Sequence, residues 1–307
     1  MRICSFLPSA TEIIYALNLG DSLYGVTYEC DYPSDVKEKP VVVLGSHGMN
    51  LMRSREIDKL VSQSLSNGES LYVIDEKKLK DADPDLVLTQ GVCKVCAPSG
   101  TQIAQLPEIL GRDVEVLSLD PKSLDDIIED IIRVGTLTGR LQVAQRVAND
   151  LRSRIDTVRL LNSDLPKRKV FCVEWLDPIF NAGHWIPDVI SIAGGHDVLG
   201  SNGASTRIEW EKVLNYDPEV LILMPCGYNI AKTISEIQSI VSREGYNDLT
   251  AVKNNQVYVL DGSAYFSRPG PRIVTGIEIL ANILQPDVSC YEIPDGSMTK
   301  LTKSMIS

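Results

Sequence analysis

Short apolar runs alternate with amphipathic stretches along the first half of the chain. "RICSF", "LYGVT", "LYVID", "DLVLTQ" and "VEVLSL" read as strands, and "SATEIIYALNLG", "SREIDKLVSQSLSNG", "EKKLKDADP" and "TQIAQLPEIL" as helices. Ser9 or Thr11 is placed to cap the first helix, Gly20 and Gly68 to close two of them, and Pro84 to stop a third. Strand–helix alternation of this kind predicts a parallel sheet covered by helices on both faces. The second half repeats the scheme, with "KRKVFCVEW", "EVLILMPC" and "QVYVLD" as strands. Its helices are "IPDVISIAGG", "STRIEWEKVLNYDP", "IAKTISEIQSIVSREG" and "PRIVTGIEILANILQP". A second α/β lobe is expected there.

Between the halves, Ala144, Val147, Ala148, Leu151, Ile155, Val158 and Leu161 recur at three- and four-residue spacing, one apolar stripe on a helix over 141–161. At 1.5 Å per residue it is roughly 30 Å long, a strut rather than a soft linker. The expected organisation is an N-terminal α/β lobe over 1–121, a helical linker with the strut over 122–165, a C-terminal α/β lobe over 166–288, and an irregular tail over 289–307. "LKDADPDLVLTQGVC" and "LNYDPEVLILMPCG" both run helix, Asp-Pro-acid, apolar strand, polar residues and a cysteine. This echo supports two related lobes, although any two βα units share part of it.

Length and charge narrow the picture. A chain of 307 residues suits two domains. With 41 acidic against 30 basic residues and no basic run, a nucleic-acid or anionic-membrane surface is disfavoured. The opening "MRICSFLPSATEII" lacks the apolar core of a signal peptide, and no segment approaches the ~18 apolar residues of a membrane span, so direct membrane insertion is not expected. The sequence reads as cytoplasmic, or as extracytoplasmic where a leader has been removed. Seven cysteines at irregular spacing argue against a secreted disulfide framework. Cys4 and Cys172 fall inside strands as small hydrophobes, whereas Cys30, Cys93, Cys96 and Cys226 fall at strand ends.

In parallel α/β sheets, ligands collect where strands end and helices begin. Pro8, Ser9 and Thr11 follow the first strand, Tyr28, Glu29 and Asp31 the second, and Gln90 follows "DLVLT". Glu174, Trp175, Asp177, His184 and Trp185 come after "VFCV", and Tyr265, Phe266 and Arg268 after "VYVLD". Aromatic residues are only 6% of the chain, so their grouping at strand ends predicts a broad, flat ligand face. Trp175 and Trp185 are equally able to cap the core of the second lobe, and Arg268 to pair with a carboxylate. No G-x-S-x-G elbow, P-loop or G-x-G-x-x-G is present, and the expectation is binding rather than catalysis. An enzyme acting on a small molecule is the competing class, with Cys93 or Cys96 and His184 as a nucleophile pair. The C-x-x-C of "QGVCKVCAPSG" supplies half of a tetrahedral metal set that Cys30, Cys226 or His184 could complete around zinc or iron, including an iron cluster. The same pair also reads as a redox pair, a disulfide or the polar lip of a ligand crevice.

Four longer stretches, "LPSATEIIYALNLGDSLYGVTYECDYP", "PDLVLTQGVCKVCAPSG", "VEWLDPIFNAGHWIPDVISIAGGHDVLG" and "YFSRPGPRIVTGIEILANIL", resemble in this order the cobalamin-binding branch of the ABC-transporter substrate-binding proteins. The resemblance runs from Arg2 to about Pro286. It implies two Rossmann-like lobes with parallel central sheets bridged by one long rigid helix, the class III architecture. It further implies non-catalytic binding of a corrinoid, cobalamin or a relative, in the crevice between the lobes, for ABC-type uptake through a permease or for cytosolic trafficking. Pro8, Ser9, Thr11, Tyr28, Glu29 and Asp31 would stand on one side of the corrinoid, and Glu174, Trp175, Asp177, His184 and Trp185 on the other. Tyr265, Phe266 and Arg268 would complete the rim, and His184 would be placed to approach cobalt. Glu56 and Glu211 are the implied docking points for transporter arginines. The same architecture also holds siderophores, haem and bare metal ions.

Overall fold

Ile3, Cys4 and Ser5 are fully buried, as a central strand requires, and the sheet of the first unit grows on both sides of them. A computed structural model describes residues 1–45, 48–91 and 97–306. It divides into one unit of Met1–Met52 with Glu56–Asp150 and a second of Leu151–Ser307 with the short segment Arg53–Arg55.

The strands of the first unit are β1 (Ile3–Ser5), β2 (Leu23–Thr27), β3 (Val41–Gly45), β4 (Tyr72–Ile74), β5 (Leu86–Thr89) and β6 (Glu115–Ser118), in the order β4-β3-β2-β1-β5-β6. All neighbours are parallel except β4, which runs antiparallel to β3 with Gly45 opposite Tyr72. β3 is absent from the sequence reading, which also took β4 for a member of a parallel sheet. Cys4, Phe6, Val42, Val43, Val87, Leu79 and Leu106 belong to one buried apolar cluster. The strand order reverses beside β1, so the loops after β1 and β5 diverge at the carboxyl end of the sheet. The helix Pro8–Ala16 starts on its proline with Leu7 as N-cap, which puts Ser9 and Thr11 inside the helix rather than at its cap. "TQIAQLPEIL" forms two short helices, Gly100–Ala104 and Leu106–Leu110, because Pro107 has no N–H to continue the first.

The second unit contains β7 (Arg168–Trp175), β8 (Phe180–Asn181), β9 (Gly195–His196), β10 (Val220–Leu223), β11 (Val257–Leu260) and β12 (Met298–Lys300), ordered β12-β11-β10-β7-β8 with β9 on β7. β7, β10 and β11 are parallel, while β8 and β12 are antiparallel edges. β12 corrects the expectation of a wholly irregular tail: Met298 pairs with Leu260 and Lys300 with Tyr258. The repeated Asp-Pro is also visible in the backbone. Asp83 and Asp217 each end a helix in the left-handed region, at φ 41 and 47, and each leads through a proline into a strand beside the first strand of its unit.

The chain passes from one unit to the other within the helix Leu141–Asn162. Ala144, Ala148, Leu151, Ile155 and Val158 are buried along it, but Leu161 is 45% exposed and the stripe ends on Asn162, whose amide donates to the Ile192 carbonyl at 3.1 Å. From this helix Arg154 donates to both oxygens of Glu278, at 2.9 and 2.7 Å, and to the Thr275 hydroxyl at 3.1 Å. Glu278 lies in the helix Ile273–Leu284 and is 8% exposed.

Two buried carboxyls set a pH dependence. Burial raises Asp130 to about 6 despite Arg133 at 2.6 Å, and raises Asp197 to about 6 despite N–H donors from Cys172, Leu199 and Gly200. An acid with a raised folded pKa stabilises the fold while protonated. Its contribution is full below the unfolded value of about 4 and is lost as pH rises through the folded one. His184 acts in the opposite sense: burial lowers its pKa, so its contribution is present above the unfolded value and fades on acidification. The unfolding free energy, read by urea titration at low salt, is expected to rise by about 1 kcal/mol from neutrality to about pH 5, and further in His184→Asn. A fall over that interval in both proteins would refute the assignment to the two aspartates.

Candidate functional site

In the first unit, Tyr28, Glu29 and Cys30 follow β2 directly. The Tyr28 ring is 38% exposed and tilts at 45° against Tyr72, with centroids 6.3 Å apart. The hydroxyls of Tyr28 and Tyr72 donate to the two carboxylate oxygens of Glu29, at 3.4 and 3.1 Å. Gly45 lets the ring lie on the β3 backbone, since a Cβ there would come within 2.6 Å of Tyr28. Burial first, and then the Glu29 charge, push the Tyr28 phenol upward, so it stays a protonated donor. Thr11 and Cys30 are buried and meet at 3.1 Å between hydroxyl and thiol, while Ser9 is buried beneath them in sequence. Pro8 and Gln90 are half-buried and Asp31 is exposed. Past Gln90, the Gly91 N–H donates to the Asp120 carboxylate, tying the end of β5 to the segment after β6.

In the second unit, β7 ends on Glu174 and Trp175. The Glu174 carboxylate accepts the Gly183 N–H at 2.9 Å and its carbonyl accepts the Cys226 N–H at 2.9 Å, which ties together the loops after β7, β8 and β10. Trp175 is half-buried, with its ring 5.3 Å from that of Tyr228 at 58° and its indole N–H on the Ser54 carbonyl at 3.2 Å. The Tyr228 hydroxyl donates to Glu236 at 3.0 Å, and Glu236 also accepts the N–H and hydroxyl of Ser54, each at 2.7 Å, and pairs with Lys232 at 3.3 Å. Burial pushes the Glu236 carboxyl up, but these donors outweigh it and hold it below the usual range. Asp177 pairs with Arg55 at 2.8 Å. Tyr265 is half-buried with the Arg272 guanidinium 5.6 Å over its ring, and Arg268 donates to the Ser263 hydroxyl at 3.2 Å. Gly262 permits close approach of the segment after β11 to the Pro225 carbonyl.

Two expected ring faces lie inward. Trp185 and Phe266 are 6% and 2% exposed, and the Trp185 indole donates to the Phe266 carbonyl at 2.9 Å, so both pack inside their unit and offer little surface to a ligand. His184 is half-buried beside Trp185. Sequence reading missed Tyr72 and Glu236. Neither stands just after a strand, and the partners they hold are 43 and 182 residues away.

Cys93 and Cys96 lie outside the described residues. Among the described residues, no three His, Cys, Asp or Glu side chains come together as a metal set, and none of the five cysteines is in a disulfide. Glu56 and Glu211 stand exposed in the first turns of the helices Ser54–Asn67 and Trp210–Tyr216. No helix among the described residues is long and apolar enough to cross a membrane.

Known proteins resemble this chain in sequence and fold. The family described as "Periplasmic binding protein" matches residues 3–264. The vitamin B12-binding protein of Vibrio cholerae is 24% identical over 287 residues, covering 92% of this chain and 89% of that one. A protein of Bacillus subtilis named "Uncharacterized ABC transporter substrate-binding lipoprotein YvrC" is 26% identical over 293 residues, 93% of this chain and 80% of its own. Among solved structures, a periplasmic heme binding protein from Pseudomonas aeruginosa superposes with a TM-score of 0.71 at 19% identity, covering 95% of each chain.

Proposed function

Because the chain belongs to the periplasmic binding protein family, the solute-binding proteins of ABC transport, we propose that its solute is a corrinoid of the cobalamin class. The observation that carries this reading is the pairing of partly open ring faces with fixed polar groups at the strand ends: Tyr28 with Glu29 in one unit, and Trp175, held on the Ser54 carbonyl, and Tyr265, under the Arg272 guanidinium, in the other. A corrin is a wide, partly apolar disc fringed with amides, which suits aromatic faces edged by carboxylate acceptors. Haem is a disc of similar width, but it carries two carboxylates of its own. Glu29, Asp31, Glu174 and Asp177 repel those groups and accept from amide N–H groups. The name of the Vibrio cholerae relative supports the same solute. Delivery is then to an ABC permease on the extracytoplasmic side, with Glu56 and Glu211 as the acidic docking points.

Titration of the purified protein with cyanocobalamin, haemin, zinc and ferric iron, followed by tryptophan fluorescence and calorimetry, tests the reading. One-to-one cyanocobalamin binding at about micromolar Kd or tighter is expected. Saturable haemin or metal binding with no response to cyanocobalamin would falsify it.

A further inference from the structure

We propose that Arg243 forms an oxyanion subsite in the second unit, which takes a phosphoryl oxygen from the nucleotide-loop phosphodiester of the solute or from free phosphate. The first source rests on the corrinoid reading, since cobalamins carry that phosphodiester, and the second does not. Arg243 follows the short helix Gln238–Val241 and is half-buried. Its Nε donates to the Ser239 carbonyl at 2.8 Å, and its guanidinium lies 5.7 Å from the centre of the Trp210 ring. Trp210 is itself fixed, because its indole N–H donates to the Glu244 carbonyl at 2.8 Å. Gly245, in the left-handed region at φ 76, brings the chain against the helix Trp210–Tyr216, where a Cβ would stand 3.0 Å from the Leu214 side chain.

This bracing leaves the fork of the guanidinium open. Among the described residues, neither terminal nitrogen of Arg243 has a hydrogen-bond partner and no carboxylate lies within ion-pair distance of it. Arg2, Arg154, Arg168 and Arg268 are half-buried too, but each places a terminal nitrogen on an oxygen of the protein. A half-buried guanidinium held through Nε and its ring neighbour, with both terminal groups unused, has the form that receives phosphate and carboxylate oxygens.

The surrounding charges fit one anion. Burial lowers the Arg243 pKa, the Asp177 charge opposes that and the Arg55 charge adds to it. Asp177 is already taken, because Arg55 donates to both of its carboxylate oxygens, at 2.8 and 3.3 Å. Two guanidiniums and one carboxylate leave one net positive charge, in a chain whose formal net charge is −11. One charge balances the monoanion of a phosphodiester, whereas the two carboxylates of haem would leave one of them unpaired beside Asp177. Asp177 stands two residues beyond Trp175, and Arg55 follows Ser54, whose carbonyl holds the Trp175 indole. The subsite therefore borders the ring that the corrinoid reading makes an anchor.

Inorganic phosphate is titrated into the corrinoid-free protein at constant ionic strength, with chloride as the compensating ion, and followed by tryptophan fluorescence and phosphorus-31 line width. A saturable response at about millimolar Kd is expected in the wild type, with Trp210 as its reporter, and its loss in Arg243→Gln. Arg243→Lys keeps the charge without the fork and is expected to bind phosphate about threefold more weakly or worse. Calorimetry with cyanocobalamin and with dicyanocobinamide, which lacks the nucleotide loop, then identifies the source. Where the phosphodiester is the ligand, Arg243→Gln weakens cyanocobalamin binding about tenfold and leaves dicyanocobinamide within about twofold. Equal affinities of wild type and variant for both corrinoids, with the phosphate response lost in the variant, assign the subsite to free phosphate. A phosphate response that persists in Arg243→Gln overturns the proposal, as does a wild type without that response whose corrinoid affinities the substitution leaves unchanged. Both results leave the corrinoid reading standing. A wild type that binds phosphate through Arg243 but neither corrinoid overturns the corrinoid reading and keeps the subsite.

Discussion

Replacing Arg154 with methionine lowers the unfolding free energy by about 3 kcal/mol, whereas Glu278→Gln costs about 1 kcal/mol. The two groups form one bidentate pair, at 2.9 and 2.7 Å, but their surroundings differ. The Arg154 side chain is 35% exposed and can turn its guanidinium to water once Glu278 is neutral. The Glu278 side chain is 10% exposed, so loss of Arg154 leaves a carboxylate with little water and only local partners. The partial exposure of Arg154 holds the larger figure at the low end of what breaking a buried pair costs. Urea titration of both variants measures the asymmetry, and equal losses would contradict it.

Trp175→Ala is expected to weaken cyanocobalamin binding about thirtyfold, because a half-buried indole braced on Tyr228 and hydrogen-bonded through its N–H is an anchor of the kind that dominates recognition. Tyr228→Phe is the control. It removes one donor to Glu236 and leaves Ser54 and Lys232 in place, so it costs about 1 kcal/mol of stability and changes affinity less than about threefold. Calorimetry on both variants decides the matter. Should Trp175→Ala bind within about twofold of wild type, the ring is not in contact and Tyr265 becomes the better anchor.

How far these positions were legible depends on the range of the interactions that fix them. The parallel strands other than β3 and the two-residue β9, and the helix Leu141–Asn162, were readable because apolar periodicity is local and each run buries on its own. β3 was passed over although "VVVLG" is a plain apolar run, and β12 could not be read because a three-residue strand is defined by pairing with β11 rather than by its own composition. The helix expected over "IAKTISEIQSIVSREG" breaks after Ser235, where Glu236 is held by Ser54, 182 residues away. The strand-end rule located Tyr28, Glu29 and Trp175. It could not show that Trp185 and Phe266 turn inward, because following a strand places a loop at the right end of the sheet without fixing which of its rings faces solvent.

The helix Leu141–Asn162 also determines where the polypeptide tolerates being divided for fragment complementation. A break after Asp150, where compactness would suggest it, cuts that helix in two, separates Ala144 and Ala148 from Leu151, Ile155 and Val158, and creates two helix ends with unpaired N–H and C=O groups. A break at Gly139, already in a left-handed turn at φ 70 between the helices Leu124–Leu137 and Leu141–Asn162, leaves the apolar stripe whole on the C-terminal fragment. Fragments made there keep an intact amphipathic surface through which to reassemble without rebuilding a helix.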